Sequence, residues 1–210
     1  MLALFLSAFV TLFVVIDPPG CAPIYAGLVS EATSRQAAVM ALRACLIATA
    51  ILIVFALFGE NLLGALHIEL NSFRLAGGIM LFLIALDMVF EKRTQRREER
   101  VEKVRAHNAQ TPEVDDVSVF PMAMPMIAGP GSIATIMLLM GRAEGTEQTL
   151  AIFAALGAVM VLTLAALIAA KPLMRLLGAQ VEAVITRLLG VLLAALAAQY
   201  VIDGVKAVLG

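Results

Sequence analysis

The sequence predicts an all-α membrane protein in which six transmembrane helices form two inverted three-helix repeats, with helices 1 and 4 discontinuous. Hydrophobic residues make up 61% of the 210 residues and charged residues 15%, and the mean hydropathy is +0.97. A soluble domain of this length cannot bury so much apolar surface, so lipid must be its solvent. Six apolar segments supply the spans, most of them reaching the ~20 residues that cross a ~30 Å hydrocarbon core: 2–29, 37–59, 73–90, 118–140, 149–170 and 186–208.

The basic residues predict the orientation of these spans. Seven of the 15 Lys and Arg residues lie between Lys92 and Arg105, and basic loops face the cytoplasm. Six spans then place 12 basic residues inside and three outside, with both termini periplasmic. We expect an inner-membrane protein with a first repeat at 1–90, a charged cytoplasmic linker at 91–117 and a second repeat at 118–210. The net charge of −1 gives no indication of nucleic-acid binding.

The two halves of the chain resemble each other in sequence. Residues 73–77 match 186–190 at an offset of 113, and Pro19-Gly20 matches Pro130-Gly131 at an offset of 111. Because each half has three spans, the halves must cross the membrane in opposite directions. Inverted repeats of this kind are typical of secondary transporters, whose binding sites lie at the repeat interface near the midplane.

Equivalent positions of the first and fourth spans carry helix-breaking residues. Asp17-Pro18-Pro19-Gly20 interrupts the first span, and Gly129-Pro130-Gly131-Ser132 interrupts the fourth. Proline removes a backbone donor and clashes with the preceding turn, at a cost of about 3 kcal/mol within a helix. Unwound backbone is tolerated in a membrane only where it is buried in protein or faces a wet cavity. These interruptions therefore predict the functional site.

Each interruption starts a new half-helix, whose free N–H groups favour an anion. We expect Ser132 to cap the second half-helix and Gly131 to let a ligand approach the backbone. We expect the ammonium group of a small zwitterionic solute to contact Asp17 or exposed backbone carbonyls. The competing interpretation, which is compatible with a function, makes Asp17 the N-cap of the half-helix that begins at Pro18. The predicted substrate-binding residues are Asp17, Pro18, Gly20, Gly129, Gly131, Ser132 and Thr135.

Other residues receive packing roles. Arg74 and Arg187 each open a third span, where we expect them to pair with Glu69, Glu182 or lipid phosphate. Close helix packing is predicted at Gly77, Gly78 and Gly190, and an interhelical hydrogen bond at Gln199. The spacing of Cys, His and acidic residues indicates neither a metal site nor a catalytic constellation, so we expect no cofactor and no enzyme activity.

The chain resembles the MarC family of integral membrane proteins, related to the SnatA-type small neutral amino-acid transporters. The resemblance covers essentially the whole chain and is carried by Ile16–Gly20 with Pro23, 73–79, Phe120-Pro121 through Gly131, and Thr186-Arg187 through Gly190 with Gln199 and Gly204. The family motif often has one proline where this chain has Pro18-Pro19.

The resemblance implies six spans and uptake of glycine or alanine. Coupling to Na⁺ or H⁺ and assembly as a homo-oligomer stay open. One alternative is an ion or metal permease, which would require several intramembrane acids at helical spacing, whereas Asp17 is the only one expected deep in the bilayer. The other is a non-transporting membrane assembly protein, which would leave the matched interruptions unexplained.

Overall fold

The computed structural model describes residues 1–90 and 116–209. The predicted linker at 91–117 therefore lies almost wholly outside the described residues, as does the side chain of Glu182. The described residues form helices and contain no strand: α1 Leu2–Ile16, α2 Pro18–Leu28, α3 Ser34–Ala65, α4 Leu70–Val89, α5 Ser118–Ile127, α6 Pro130–Met140, α7 Gly145–Ile168 and α8 Ala170–Leu209.

Five stretches of the described chain are long and apolar enough to cross a membrane. They are Leu2–Leu28, Ser34–Ala65, Leu70–Val89, Gly145–Ile168 and Ala183–Ala207. The helices α5 and α6 meet at 53° and make a sixth candidate when counted together as one bent span. The predicted all-helical membrane fold is thus confirmed, with five or six candidate spans.

Local sequence explains several helix boundaries. At the start of α3, Thr33 and Gln36 form a capping box, in which the Thr33 N–H donates to Gln36 Oε1 at 2.9 Å. The helix α5 is irregular because Phe120 and Met124 have extended backbone angles. Both residues precede a proline, which disfavours helical angles at the position before it.

The start of α8 differs from the sequence prediction. We expected a link at 171–185, but α8 runs without interruption for 40 residues from Ala170 to Leu209. Charged residues at 171–185 end the apolar segment, but they do not end the helix. Pro172 does not break the helix either, because it lies in the first turn of α8, where proline is tolerated. Lys171 Nζ donates to the carbonyl oxygen of Ala32 at 3.0 Å, which joins the start of α8 to the α2–α3 link.

Glycines allow α4 and α8 to pack closely along each other. A Cβ atom on Gly78 would lie 2.9 Å from the backbone nitrogen of Val201, and one on Gly204 would lie 3.0 Å from that of Leu75. On Gly190 it would lie 2.8 Å from Met88 Cβ. Small residues bring membrane helices into such backbone contact. The Gly77 position has the same property toward α6, since a Cβ there would lie 3.0 Å from Leu138 Cδ1.

Candidate functional site

The first junction, between α1 and α2, is formed by residues 17–20. Asp17 has left-handed backbone angles (φ 57°, ψ 63°) and is fully buried. Its Oδ1 atom accepts a hydrogen bond from the Gly20 N–H at 3.1 Å. Asp17 is therefore the N-cap of α2, as one of the two interpretations of the sequence proposed. Aspartate is among the few non-glycine residues that adopt left-handed angles at acceptable cost.

The N-terminus of α2 uses its own side chains to satisfy its backbone. Pro18 and Pro19 occupy the first two helical positions and carry no N–H, so Gly20 supplies the first amide, which the Asp17 carboxylate accepts. A Cβ on Gly20 would overlap that carboxylate, which explains the glycine. The Cys21 thiol donates to the carbonyl oxygen of Ile16 at 3.4 Å. The free amides that we expected at this junction are therefore not available to an anion.

The second junction, between α5 and α6, is formed by residues 128–132 and has a different chemistry. Gly129 is the N-cap of α6 and Pro130 its first residue, and no side chain caps this helix. Ser132 is the third helical residue, so the predicted capping role for Ser132 is wrong. The amides of Gly131 and Ser132 belong to the first turn, whose N–H groups have no acceptor within the helix. This terminus is the one suited to an anion.

The two junctions lie close to each other. A Cβ on Gly131 would lie 3.4 Å from Val15 Cγ1, and Val15 is two residues before Asp17. The same atom would lie 2.7 Å from Ile84 Cδ1 of α4. The start of α6 therefore packs against the end of α1 and the middle of α4. At Gly129 a Cβ would overlap the carbonyl oxygen of Pro125, because the chain bends between α5 and α6 there.

Thr135 places an unsatisfied hydroxyl group one turn beyond Gly131. The residue is fully buried, and its Oγ1 atom has no hydrogen-bond partner among the residues that the structure describes. Four other threonines within the helices donate to the carbonyl four residues earlier, at 2.7 to 3.2 Å: Thr11, Thr49, Thr149 and Thr163. A buried polar group without a partner costs about 1–3 kcal/mol, so Thr135 is an exception that requires an explanation.

Comparison with known proteins identifies the family of the chain. Residues 2–209 match the family model described as MarC family integral membrane protein. The chain belongs to the MarC family. It is 31% identical over 205 residues to a UPF0056 membrane protein of Methanocaldococcus jannaschii, covering 98% of this chain and 97% of that protein. A UPF0056 membrane protein of Aquifex aeolicus is 34% identical, covering 97% of this chain and 92% of that protein.

The Escherichia coli UPF0056 inner membrane protein YhgN is 29% identical to the chain, covering 96% of this chain and 95% of YhgN. No solved structure matches the chain. The resemblance to MarC proteins is thus confirmed, and the protein is an integral, multi-pass membrane protein. The names of these relatives specify a membrane protein and no substrate.

The site of this MarC family protein is closed to its surroundings. Asp17 and Thr135 are 0% exposed and Ser132 is 2% exposed. The helices that meet at the two junctions contribute large, fully buried apolar side chains to one hydrophobic cluster, among them Leu12, Ile16, Met122, Ile127 and Ile136. Within the described ranges, no group of three or more His, Cys, Asp or Glu side chains could hold a metal ion. The polar groups available at the site are those of the two junctions and Thr135.

Sequence reasoning missed a polar cluster at the opposite end of α6 in this MarC family protein. Gln199 Nε2 donates to Asp203 Oδ1 at 2.7 Å within α8, instead of bonding to another helix as expected. Asp203 Oδ2 accepts from Arg142 Nη2 at 3.0 Å. Arg74 interacts electrostatically with this cluster and forms no ion pair with Glu69. The expected pair of Arg187 with Glu182 falls on a side chain outside the described residues.

Proposed function

We propose that this MarC family protein is a secondary transporter that moves small neutral amino acids, of the size of glycine or alanine, across the inner membrane. One observation carries the proposal. A buried carboxylate at the first junction lies near a helix N-terminus and an unpartnered buried hydroxyl at the second. A zwitterion can interact with both junctions, because its carboxylate can accept from the amides of Gly131 and Ser132 and from Thr135, and its ammonium can donate to Asp17.

An inverted repeat is part of the proposal, and the arrangement of the helices supports it. The half-helices α2 and α6 both have 11 residues and both begin with a proline. In the proposed repeat, α1 and α2 correspond to α5 and α6, and α3 corresponds to α7. The helix α1 packs on α7, and α5 and α6 pack correspondingly on α3. The third helices of the halves, α4 and α8, pack on each other. Rocking of one repeat against the other would then open the site alternately to each side.

Closure of the site supports a small substrate. Since Asp17, Ser132 and Thr135 are buried, a solute enters only if neighbouring side chains move away. The side chains nearest to Gly131 are those of Ile84 and Val15, and their close packing favours a small solute over a large one. Discontinuous first and fourth spans supply flexible points at the two junctions for this movement.

The proposed orientation places the linker at 91–117 in the cytoplasm and both termini in the periplasm. The 12-to-3 division of basic residues supports it. The hydrogen bond from Lys171 to Ala32 also supports it, because it brings the α2–α3 link and the start of α8 to one end of the molecule. Cysteine labelling at residue 2 and at residue 100 in whole cells tests this orientation.

Uptake of labelled glycine and alanine into proteoliposomes tests the proposed function. Imposed Na⁺ and H⁺ gradients identify the coupling ion, since Asp17 can either take up a proton or contribute to a Na⁺ site. We expect Asp17→Asn to abolish uptake while the protein stays folded, because asparagine also caps helices and adopts left-handed angles. Gly131→Leu should abolish uptake as well.

Two further measurements make this experiment decisive. A leucine at position 131 would collide with Ile84, and adding Ile84→Ala restores the space. The double variant therefore shows whether the loss of uptake in Gly131→Leu comes from the binding site or from a disturbed fold. Thr163→Val is the matched control, because Thr163 is equally buried and its hydroxyl is already bonded to Val159. Wild-type uptake by both Asp17→Asn and the double variant refutes the site, and cation flux without amino-acid uptake refutes the substrate class.

A further inference from the structure

Two arginines and one carboxylate meet where α4 begins, α6 ends and α8 ends. Arg142, in the α6–α7 link, donates to Asp203 Oδ2 at 3.0 Å, and its guanidinium carbon lies 4.8 Å from the centre of the Tyr200 ring. Gln199 donates to the other oxygen of Asp203 at 2.7 Å. Arg74, the fifth residue of α4, interacts electrostatically with Arg142, Asp203 and Tyr200. We call these five residues the outer cluster.

Arg74 is the member of the outer cluster whose charge is not neutralised. Both carboxylate oxygens of Asp203 are bonded to Arg142 and Gln199, and Arg74 forms no ion pair within residues 1–90 and 116–209. Its Nε atom is buried and has no hydrogen-bond partner there. Two guanidinium groups and one carboxylate give the cluster a formal charge of +1. A half-buried arginine in this state is a preformed partner for an oxyanion.

We propose that the outer cluster is a loading site, which binds the carboxylate of a small zwitterion at Arg74 before the solute passes to the second junction. The identity of the ligand rests on the proposed function. The planar fork of arginine matches a carboxylate in a bidentate manner. Asp203 is 30% exposed at its side chain, and each of its carboxylate oxygens can accept a second hydrogen bond, so it can also accept from the ammonium group. The cluster thus offers both charges that a zwitterion requires.

The position of α6 connects the outer cluster to the site already described. Its first turn contributes Gly131 and Ser132 to the second junction, and Arg142 follows its last residue by two positions. Eleven helical residues span ~16 Å at ~1.5 Å per residue. In the proposed orientation the outer cluster faces the periplasm and lies about one half-helix from the second junction.

Glycine binding and uptake kinetics test the loading site. The full chain is reconstituted in phosphatidylcholine nanodiscs for binding and in proteoliposomes for uptake. We expect Arg74→Gln to raise the KM for glycine about tenfold or more, as loss of a hydrogen bond to a charged group predicts, while kcat changes by less than about twofold. Arg74→Lys should recover part of the loss. Lys206→Gln, which removes a charge near the same end of α8, should behave as wild type.

Binding to the Asp17→Asn variant separates this inference from the proposed function. Glycine and acetate should still protect that variant from thermal unfolding, ethanolamine should not, and adding Arg74→Gln should reduce the protection to the part that the second junction alone gives. Protection of this kind without uptake in the wild type would sustain the loading site and refute the transporter. Uptake with an unchanged KM in both Arg74 variants would refute the loading site alone. Protection given only by phosphatidylethanolamine or phosphatidylglycerol would assign Arg74 to a lipid headgroup and overturn the inference.

Discussion

The hydroxyl group of Thr135 offers a test in which stability and affinity change in opposite directions. Valine has nearly the same shape as threonine and lacks the hydroxyl. Since Thr135 is fully buried and its Oγ1 has no partner within the described part of the chain, Thr135→Val removes a desolvated polar group. The ligand-free protein should be stabilised by about 1 kcal/mol, the low end of the cost of an unpartnered buried polar group. Glycine should bind at least about tenfold more weakly, because a bond from the hydroxyl to its carboxylate is lost.

Thr163→Val is the control for this substitution. Thr163 is also fully buried, but its hydroxyl donates to the carbonyl oxygen of Val159 at 2.8 Å. Its removal should destabilise the protein by about 0.5–1 kcal/mol and leave glycine affinity unchanged. The assay is thermal unfolding in nanodiscs at several glycine concentrations, which gives the stability without ligand and the affinity from the shift with ligand. If Thr135→Val destabilises the protein as Thr163→Val does and keeps wild-type affinity, Thr135 is an ordinary core residue and has no role in binding.

Two further predictions concern helix packing and the loop before α5. Gly204→Val should strongly destabilise the protein in thermal unfolding, because its Cβ would lie 3.0 Å from the backbone of Leu75, whereas Gly64→Ala, where the structure leaves open space, should be neutral or stabilising. The pKa of Asp116 lies below its ordinary value, mainly because Ser118 donates hydrogen bonds to the carboxylate and further because Arg43 lies 2.9 Å away. The ionised Asp116 carboxylate therefore stabilises the fold above the ordinary pKa of an aspartate, and this stabilisation is lost as the pH falls through the lowered pKa in the folded protein. Asp116→Asn should reduce the dependence of Tm on pH in that acidic range and leave the dependence near neutral pH unchanged.

The spans could be predicted from the sequence because hydropathy alone decides whether a segment dissolves in lipid. The boundaries at Pro18 and Pro130 could also be predicted, since the missing N–H of proline acts locally. Hydropathy failed at 171–185, where charged residues end the apolar segment but not the helix α8. Solubility in lipid and continuity of a helix are separate properties. The end of a helix can be predicted only from a helix-breaking residue, and not from a loss of hydropathy.

The parts of the site that sequence reasoning missed depend on contacts between distant segments. Arg142 and Asp203 are 61 positions apart and form their ion pair only because the end of α6 lies beside the end of α8. The exceptional state of Thr135 is equally invisible in the sequence, where it resembles Thr11 and Thr163. Only the packing of the surrounding helices leaves one of these hydroxyl groups without the bond that the others make.

A difference at a single cap position gives the two junctions opposite chemistry. The N-cap of the half-helix is Asp17 at the first junction and Gly129 at the second. The Asp17 carboxylate caps the N-terminus of α2 and gives the first junction a negative charge, which attracts an ammonium. Gly129 has no side chain to cap α6, so an anion can bind at that N-terminus. Two identical junctions would bind two like charges. The pair found here suits a molecule that carries one of each.

Asp17→Gly tests whether this difference creates zwitterion recognition. Glycine is favoured at the left-handed angles of position 17 and costs only a few tenths of a kcal/mol as an N-cap, so the fold should persist. The variant loses its partner for ammonium and exposes the Gly20 amide. Binding of acetate should therefore be kept or increased while binding of glycine falls toward that of acetate, when both are measured by thermal stabilisation with Arg74→Gln added to silence the outer cluster. If the variant still prefers glycine to acetate as the wild type does, Asp17 is a structural cap alone, and the ammonium must be recognised elsewhere.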